Sequence, residues 1–490
     1  MRLYVDWNGD LDWLDTGEDV TADVQDVSWQ RGRDVASQLT GRSTAGKLSA
    51  RLKDATGKYA SFNAASPLYG MLLPGRKVQL RDDSANPQWT GYLERIEPVP
   101  SIDGLQMATL TAFGPLGLPT KKVETAMLAT VRTDQVIGSV LDAAAWPAGD
   151  RSLDVGLTTL GRWWCYDKGM IEASREAERA EAGFILEMKD GKIAFENRQH
   201  RLVTPHTVSQ ATFSDTAGGL SYSVIRQIDP LAFVFNRFLA SARRHSVGSL
   251  AVLWTHPETG ADSPKIERDG QSRIFVAVNT NGVNAWTTPV ATTDFLANSQ
   301  ADGLGTNLTG SITVGVVKRA VTMAVTLTNT HPTLDAYVTF LQARGTPLAE
   351  LDMAQVTAED APSQTAYGVR EFPSPPEWLP DTEEAQDWAL LNLSIFKDPI
   401  PFLEMTFPAH RDAAHLTQAL NRDVGDRITL VAGTGALLGI NGDFFIEAIN
   451  QRVNLEGEHL VAFLLSDAEK YSDFWVLGIS ALGTQTRLSY

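Results

Sequence analysis

Residues 6 to 19 read Asp-Trp-Asn-Gly-Asp-Leu-Asp-Trp-Leu-Asp-Thr-Gly-Glu-Asp, with five aspartates, one glutamate, one asparagine and two glycines. Oxygen-bearing side chains at this density could hold a hard divalent cation. An EF-hand-type loop needs oxygens at positions 1, 3 and 5, a turning Gly at 6 and a bidentate Glu at 12. Asp6, Asn8 and Asp10 fit the first three, but Leu11 and Gly17 occupy the turning and closing positions. Upstream, Met1, Leu3, Val5 and Trp7 alternate with Arg2, Tyr4 and Asp6, the period of a strand and not of an EF helix. Asn8-Gly9 is a hairpin-turn dipeptide. The stretch is expected to be a polar hairpin, and no metal ligand is assigned to it.

Other chemistry-bearing residues are scattered. Cys165 is the single cysteine, so the chain can form no internal disulfide, which suits a reducing compartment. No histidine stands near it in sequence, and it is expected to be a small core residue among aromatics. The eight histidines are His200, His206, His245, His256, His331, His410, His415 and His459. None has HExxH or zinc-finger spacing, and His410 and His415 fall in a loop-like stretch. Gly433-Thr434-Gly435 follows a strand without opening a GxGxxG helix, and reads as a turn. There is no P-loop and no nucleophile elbow. A glycosidase carboxylate pair could be imagined among the many acids, but no motif marks one. Catalytic, cofactor-binding and metal residues are therefore all expected to be none. The stretch carrying Glu172, Glu176, Glu178 and Glu181 also carries Arg175 and Arg179, and reads as a solvated helix face with i,i+3 ion pairs. Trp163-Trp164, and Tyr69 beside Leu68, are candidate interface anchors, with core packing as the simpler reading.

The elements that would position these residues are mostly strands. The 490 residues suggest about three domains. Lys plus Arg number 42 against 59 Asp plus Glu, a net charge of −17 that argues against a nucleic-acid-binding surface. No apolar run is long enough to span a membrane, and no signal-peptide pattern is visible. Residues 1 to about 120 alternate in short segments such as Leu48, Ala50, Leu52 and Val78, Leu80, separated by Gly/Pro turns, as in a small barrel or sandwich. Residues 121–200 mix a helix capped by Thr133-Asp134, with Val136, Ile137, Val140 and Leu141 on one face, and a helix from Ile171 to Ala182 ended by Gly183. An Asp190-Gly191 hairpin follows. Strands return at 201–265, including Phe233–Phe238. From 266 the composition turns to Thr, Val, Ala, Asn and Gly, as in an inserted β-domain. A Pro-rich bridge at 373–380 leads to a helix from Thr382 to Leu393, started by Asp381 or Thr382, and then to strands such as Asp423–Leu430.

The order of motifs carries a resemblance. Gly32-Arg33, Ala45-Gly46-Lys47-Leu48, Gly57-Lys58-Tyr59, Asn63, Ser66-Pro67-Leu68-Tyr69-Gly70 and Pro74-Gly75-Arg76 resemble the N-terminal module of siphophage tail-tip hub and minor tail proteins. Glu181-Ala182-Gly183 with Lys189–Arg198 is similar to that family's helix-hairpin, and Phe235-Asn236 to the strand opening its second barrel. Ser363–Arg370, Trp378, Ala385 and Ala389 fit as well, as do Asp423–Ile428, Gly439–Ile446 and the tail Trp475–Gly478, Leu482-Gly483 and Thr486–Leu488. The match is loose over roughly 266–360.

The resemblance implies a mainly β protein with a small α/β part: two tube-protein-like β-barrels, a helix-hairpin domain and an inserted β-sandwich-like domain. The implied division is 1–120, first barrel; 121–200, α/β; 201–265 with 361–470, second barrel; 266–360, insertion; and 471–490, C-terminal tail. It implies a non-enzymatic virion protein, a homotrimeric baseplate hub joining tail tube to tail tip, assembled in the host cytoplasm. Its partners would be itself, the tail tube or distal tail protein, the tape-measure protein and other tip or fibre proteins, with DNA only passing through the channel. No cofactor is implied. The rival readings are a receptor-binding adhesin, with the insertion as its adhesive part, and a tail-associated cell-wall hydrolase.

Overall fold

The computed structural model describes residues 1–33, 43–99, 106–118, 122–216, 218–228, 231, 234–256, 263–373, 375–399, 401–433, 435, 438–471, 474–475 and 487–488. Alternating apolar residues at the start of the chain make six antiparallel strands: β1 (Arg2–Val5), β2 (Val24–Gly32), β3 (Lys47–Lys53), β4 (Lys77–Arg81), β5 (Pro87–Val99) and β6 (Met107–Phe113). Their order is β1-β4-β5-β6-β3-β2. Each sends every second side chain to one face, so Leu3, Val5, Trp29, Leu48, Ala50, Val78, Leu80, Trp89 and Leu110 meet in one core. Tyr59 and Leu68, from the long β3–β4 connection, join that core.

Next come β7 (Leu128–Arg132), α1 (Thr133–Ala143), β8 (Arg151–Leu153), β9 (Thr159–Trp163), α2 (Met170–Glu181) and the hairpin β10 (Phe184–Glu187) with β11 (Ile193–Glu196). The helix face Val136, Ile137, Val140 and Leu141 is buried as its spacing predicts. The expected cap is corrected: Arg132 is the N-cap residue, its N–H donating to Gln135, while the Thr133 hydroxyl donates to Glu181 instead. The end of α2 is corrected too. Ala182 takes the left-handed turn at φ 55°, and Gly183 is required because a Cβ there would lie 2.4 Å from the Glu196 carbonyl oxygen.

β12 (Thr212–Ser214) and β13 (Val224–Ile228) lead to β14 (Arg237–Ala242). The strand expected over Phe233–Phe238 thus starts at Arg237, and Phe233 lies outside the described residues. Asn236 does not continue the strand: its side-chain amide donates to Ser363 and to the Gly368 carbonyl. The segment 245–350 then builds β15 (His245–Val247), β16 (Ala251–His256), β17 (Lys265–Ile266), β18 (Gln271–Val278), β19 (Val283–Trp286), β20 (Phe295–Asn298), β21 (Ile312–Lys318), β22 (Thr322–Asn329) and β23 (Ala336–Glu350). β23 is the hub of one sheet, β18-β22-β21 is another, and both contribute to one core. The segment leaves the body through β14 and returns through its antiparallel partner β24 (Ala354–Glu359).

The chain ends with α3 (Ala361–Tyr367), α4 (Thr382–Phe396), β25 (Phe402–Pro408), α5 (Ala413–Asn421), β26 (Arg427–Ala432), β27 (Ile440–Asn454) and β28 (His459–Asp467). Asp381 caps α4 as expected, accepting from the Glu383 and Glu384 N–H groups. β12, β13 and β25 to β28 form a second six-stranded lobe around Phe213, Met405, Phe407, Ile428, Ile446 and Phe463. Residues 474–475 pair in parallel with 487–488; the rest of the expected tail motif lies outside the described residues. Among the described residues, no helix is long and apolar enough to cross a membrane.

The protein is mainly β, but neither expected barrel is closed among the described residues. Both lobes are halves of one twelve-stranded sheet, because β2 pairs antiparallel with β27 from Asp26↔Asn454 to Gly32↔Ala448. The free edge of β1 only bridges back toward β2, at Tyr4↔Asp19, with Val5 N–H on the Glu18 carbonyl at 2.9 Å and Val20 N–H on the Leu3 carbonyl at 3.0 Å. The physical reason is that β2 spends its second edge on β27 across the lobe boundary instead of on β1.

Candidate functional site

Two arginines close β2, Arg31 within it and Arg33 just past its end; strand alternation would place them on one face, yet they take different partners. Arg31 donates to the Glu187 carbonyl at 3.1 Å and to Asp423 at 2.7 Å. It thereby ties the first lobe to the β10–β11 hairpin and to the turn before β26. Arg33 donates to Glu447 at 3.0 Å, and Arg201 donates to both Glu447 oxygens at 2.6 and 2.9 Å. The Ser466 hydroxyl adds a bond at 2.6 Å. Both guanidinium groups lie over the Phe184 ring, at 3.8 Å for Arg33 and 4.9 Å for Arg201. All three charged groups are buried. Burial opposes ionisation of Glu447, but the Arg201 and Arg33 charges outweigh it and hold its carboxyl down at about 2.

Among the described residues, the Glu187 carboxylate of the same hairpin forms no ion pair with a guanidinium. It accepts the Gly46 N–H and the Leu116 N–H, each at 2.7 Å. Gly46 and Gly114 leave the room, since a Cβ at either would lie 2.6 or 2.1 Å from this carboxylate. Burial dominates here and pushes Glu187 up to about 7. The hairpin turn is held on both sides: the Thr90 hydroxyl of β5 donates to the Lys189 carbonyl at 2.9 Å, and the Lys189 ammonium donates to the Leu420 carbonyl at 2.6 Å. The hairpin is thus a wedge fixed to both lobes beside the β2·β27 seam.

The glutamate helix is where the sequence reading fails most clearly. Glu176, Glu178 and Glu181 are buried, not solvated. The ion pairs also differ from those expected: Arg175 pairs with Glu178 at 2.8 Å, Lys168 pairs with Glu176, and Arg198 pairs with Glu181 at 3.3 Å. Glu178 also accepts the Ile185 N–H at 2.6 Å, and Glu181 accepts the Leu157 and Thr158 N–H groups. These carboxylates satisfy loop backbone in place of water. Helical spacing cannot show this, because the face is covered by the flanking segments around Leu157–Trp163, Ile185 and Arg198, which a helical projection leaves out.

The histidines do not form the spacing-based sets that were weighed. His410 accepts from the His459 N–H at 3.0 Å, while His415 sits on Asp412 and the Ser221 carbonyl. His200 and His206 do meet, with ring centres 4.8 Å apart. Burial opposes protonation of His200, but Asp154 at 2.7 Å and the Glu196 charge raise its pKa. Burial and the His200 charge lower that of His206. Cys165 is buried with its thiol on the Val123 carbonyl, and burial pushes it up to about 11.

Trp163 is fully buried, and Trp164 packs between His245 and Trp378, so this pair is core and not a free anchor. Tyr69 is exposed, near Phe62, Met71 and Leu73 in sequence, while Leu68 is buried. Gly435 donates its N–H to Asp215 at 2.6 Å, and Thr434 lies outside the described residues. The acidic stretch after β1 is not a tight Asn-Gly hairpin. It is a long loop with Gly9, Leu11 and Gly17 at positive φ, and Trp7 donates across it to the Gly17 carbonyl at 3.0 Å.

The junction residues Arg31, Arg201, Glu187 and Glu447 were missed as a set. Their one sequence signal is a charge inside an apolar strand, as in Phe184-Ile185-Leu186-Glu187 and Phe444-Phe445-Ile446-Glu447.

The fold is that of phage tail proteins. The chain is similar to the 43 kDa tail protein of prophage MuSo2 from Shewanella oneidensis, at 10% identity and a TM-score of 0.50, covering 96% of this chain and 98% of that one. It is also similar to a tail protein from Neisseria meningitidis MC58, at 9% identity and a TM-score of 0.51, covering 96% and 97%. No protein family and no curated protein matches by sequence.

Proposed function

We propose that the chain is a non-enzymatic structural protein of a phage-type tail, a homotrimeric hub at the tail tip. It would join the tail tube to the tip proteins and surround the channel used by DNA and the tape-measure protein. The observation that supports this is the β2·β27 ladder, which sets two six-stranded lobes edge to edge in one chain. Three copies then offer six lobes to a six-fold tube, and a ring closes through one repeated heterologous contact. The buried junction fixes the angle between the lobes, which such a ring requires. The tube-like lobes, the α/β wedge and the insertion would be its modules. The exposed Phe62, Tyr69, Met71 and Leu73 are apolar surface suited to a subunit contact. With a net charge of −17, the channel wall would be acidic or neutral and would not retain the phosphate backbone.

Light scattering on the purified chain tests the ring: a mass of roughly 160 kDa, three times 53.4 kDa, is expected. A monomer at all concentrations, together with tails whose tip holds no three-fold density, would overturn it. A second reading, adhesion by the insertion, is favoured by Ile274, Val276 and Val278 of β18 and Val317 of β21, which are exposed on its surface. Deleting 266–360 would then abolish adsorption while tails still assemble; failed assembly would make the insertion scaffold.

A further inference from the structure

The loop between β1 and residue 20 contains a carboxylate that the fold leaves incomplete. Glu18 is 1% exposed. One of its oxygens, Oε2, accepts the Asp15 N–H at 3.2 Å, and the other, Oε1, has no hydrogen-bond partner. A buried acceptor without a partner is costly unless something positive reaches it. It does not stand alone: one carboxylate oxygen each from Asp6, Asp10 and Glu18 lie within 4.8 Å of one another. The Arg76 guanidinium packs against Gly9 of the loop, but it forms no ion pair with these carboxylates. Among the described residues no Lys or Arg nitrogen comes within 4.0 Å of the carboxylates of Asp6, Asp10, Asp12, Asp15 or Glu18. The ion pairs within that lobe engage Asp23, Asp26, Asp83, Glu94 and Glu97 instead.

We propose that this loop binds one calcium ion, with Asp6, Asp10 and Glu18 as its side-chain ligands. Oxygens about 2.4 Å from a shared calcium ion can lie up to about 4.8 Å apart, a limit that these three meet, and a flexible loop suits calcium better than magnesium, which demands near-ideal octahedral geometry. Carboxylate-rich, all-oxygen donors suit calcium over softer metals. The closing acid, missing at the EF-hand position in the sequence, is supplied one residue later by Glu18. Leu11 occupies the turning position and adopts φ 72°, the conformation a glycine would take without strain. The ion would join the end of β1, through Asp6, to the returning segment at Glu18. That is where the free edge of the first lobe bridges back on itself. This inference does not rest on the tail reading.

The test is calcium titration of the full chain, freed of metal by a chelator and followed by calorimetry. One ion per chain should bind with a Kd below about 1 mM, and magnesium at least about tenfold more weakly. Glu18→Gln and Asp10→Asn should each weaken binding tenfold or more. Leu11→Gly should tighten it, a change that a loop held only by its own hydrogen bonds would not show. The proposal is overturned if the wild-type chain takes up no calcium at about 10 mM, if magnesium binds equally well, or if Glu18→Gln leaves the affinity unchanged.

Discussion

Replacing Glu447 by Gln removes the negative charge from between Arg33 and Arg201 while keeping the side chain's size. The carboxylate accepts four hydrogen bonds, two from Arg201 and one each from Arg33 and Ser466. The amide keeps one acceptor oxygen and turns two N–H donors toward buried guanidinium groups. Leaving buried charges without their partner costs about 3–5 kcal/mol. Linkage gives a similar figure: holding the carboxyl at about 2 instead of the ordinary 4.5 is worth about 3 kcal/mol. For a cooperative unit of about 150–250 residues this lowers Tm by roughly 6–20 °C, read by calorimetry at pH 7. Because the folded pKa is depressed, the stabilisation is present above about pH 4.5 and is lost as pH falls toward 2. The gap between wild type and Glu447→Gln should therefore close with acid. The triple change Arg33→Met, Arg201→Met, Glu447→Leu should recover most of the loss, since a buried ion cluster is often replaceable by apolar residues. A gap under about 1 kcal/mol at pH 7, or one that widens in acid, would refute the reasoning.

Glu187 has the opposite sign. Its folded pKa is raised to about 7, so the folded state binds the extra proton and stability falls as pH rises from about 4.5 through 7. The stability of the wild type relative to Glu187→Gln should drop by about 3 kcal/mol across that window, measured by urea unfolding at several pH values; a flat difference would show that the carboxylate is not desolvated. At the seam itself, Gly32 has φ 107°, and a Cβ there would lie 2.4 Å from the Glu447 carbonyl oxygen and 2.7 Å from the Ala448 Cα. Both obstacles are backbone, so Gly32→Ala should cost at least about 2 kcal/mol and expose the β2·β27 amides to hydrogen exchange. Retained protection of those amides would mean that the seam can shift to accept a side chain.

Local rules settled a definite share of this protein from sequence. Strand alternation located β3 and β4, the Asp190-Gly191 dipeptide located the β10–β11 hairpin, the Val136–Leu141 stripe gave the face of α1, and Asp381 marked the start of α4. In each, the deciding interactions span only a few residues. Motif order carried the resemblance to tail hubs, and the fold agrees with it. The tertiary structure alone decided which strand edges meet and which charges are buried. β2 and β27 are more than 400 residues apart, and no local pattern says that β2 takes β27 on its second edge and leaves the lobe open. Glu176, Glu178 and Glu181 look solvated in a helical projection because charge and spacing do not encode what packs on top. The same holds for Glu18, whose register misses the calcium-loop pattern by one residue while the fold still brings it to Asp6 and Asp10. Secondary structure is selected by short-range sterics and periodicity, whereas burial of a charge depends on contacts between segments that the sequence keeps far apart.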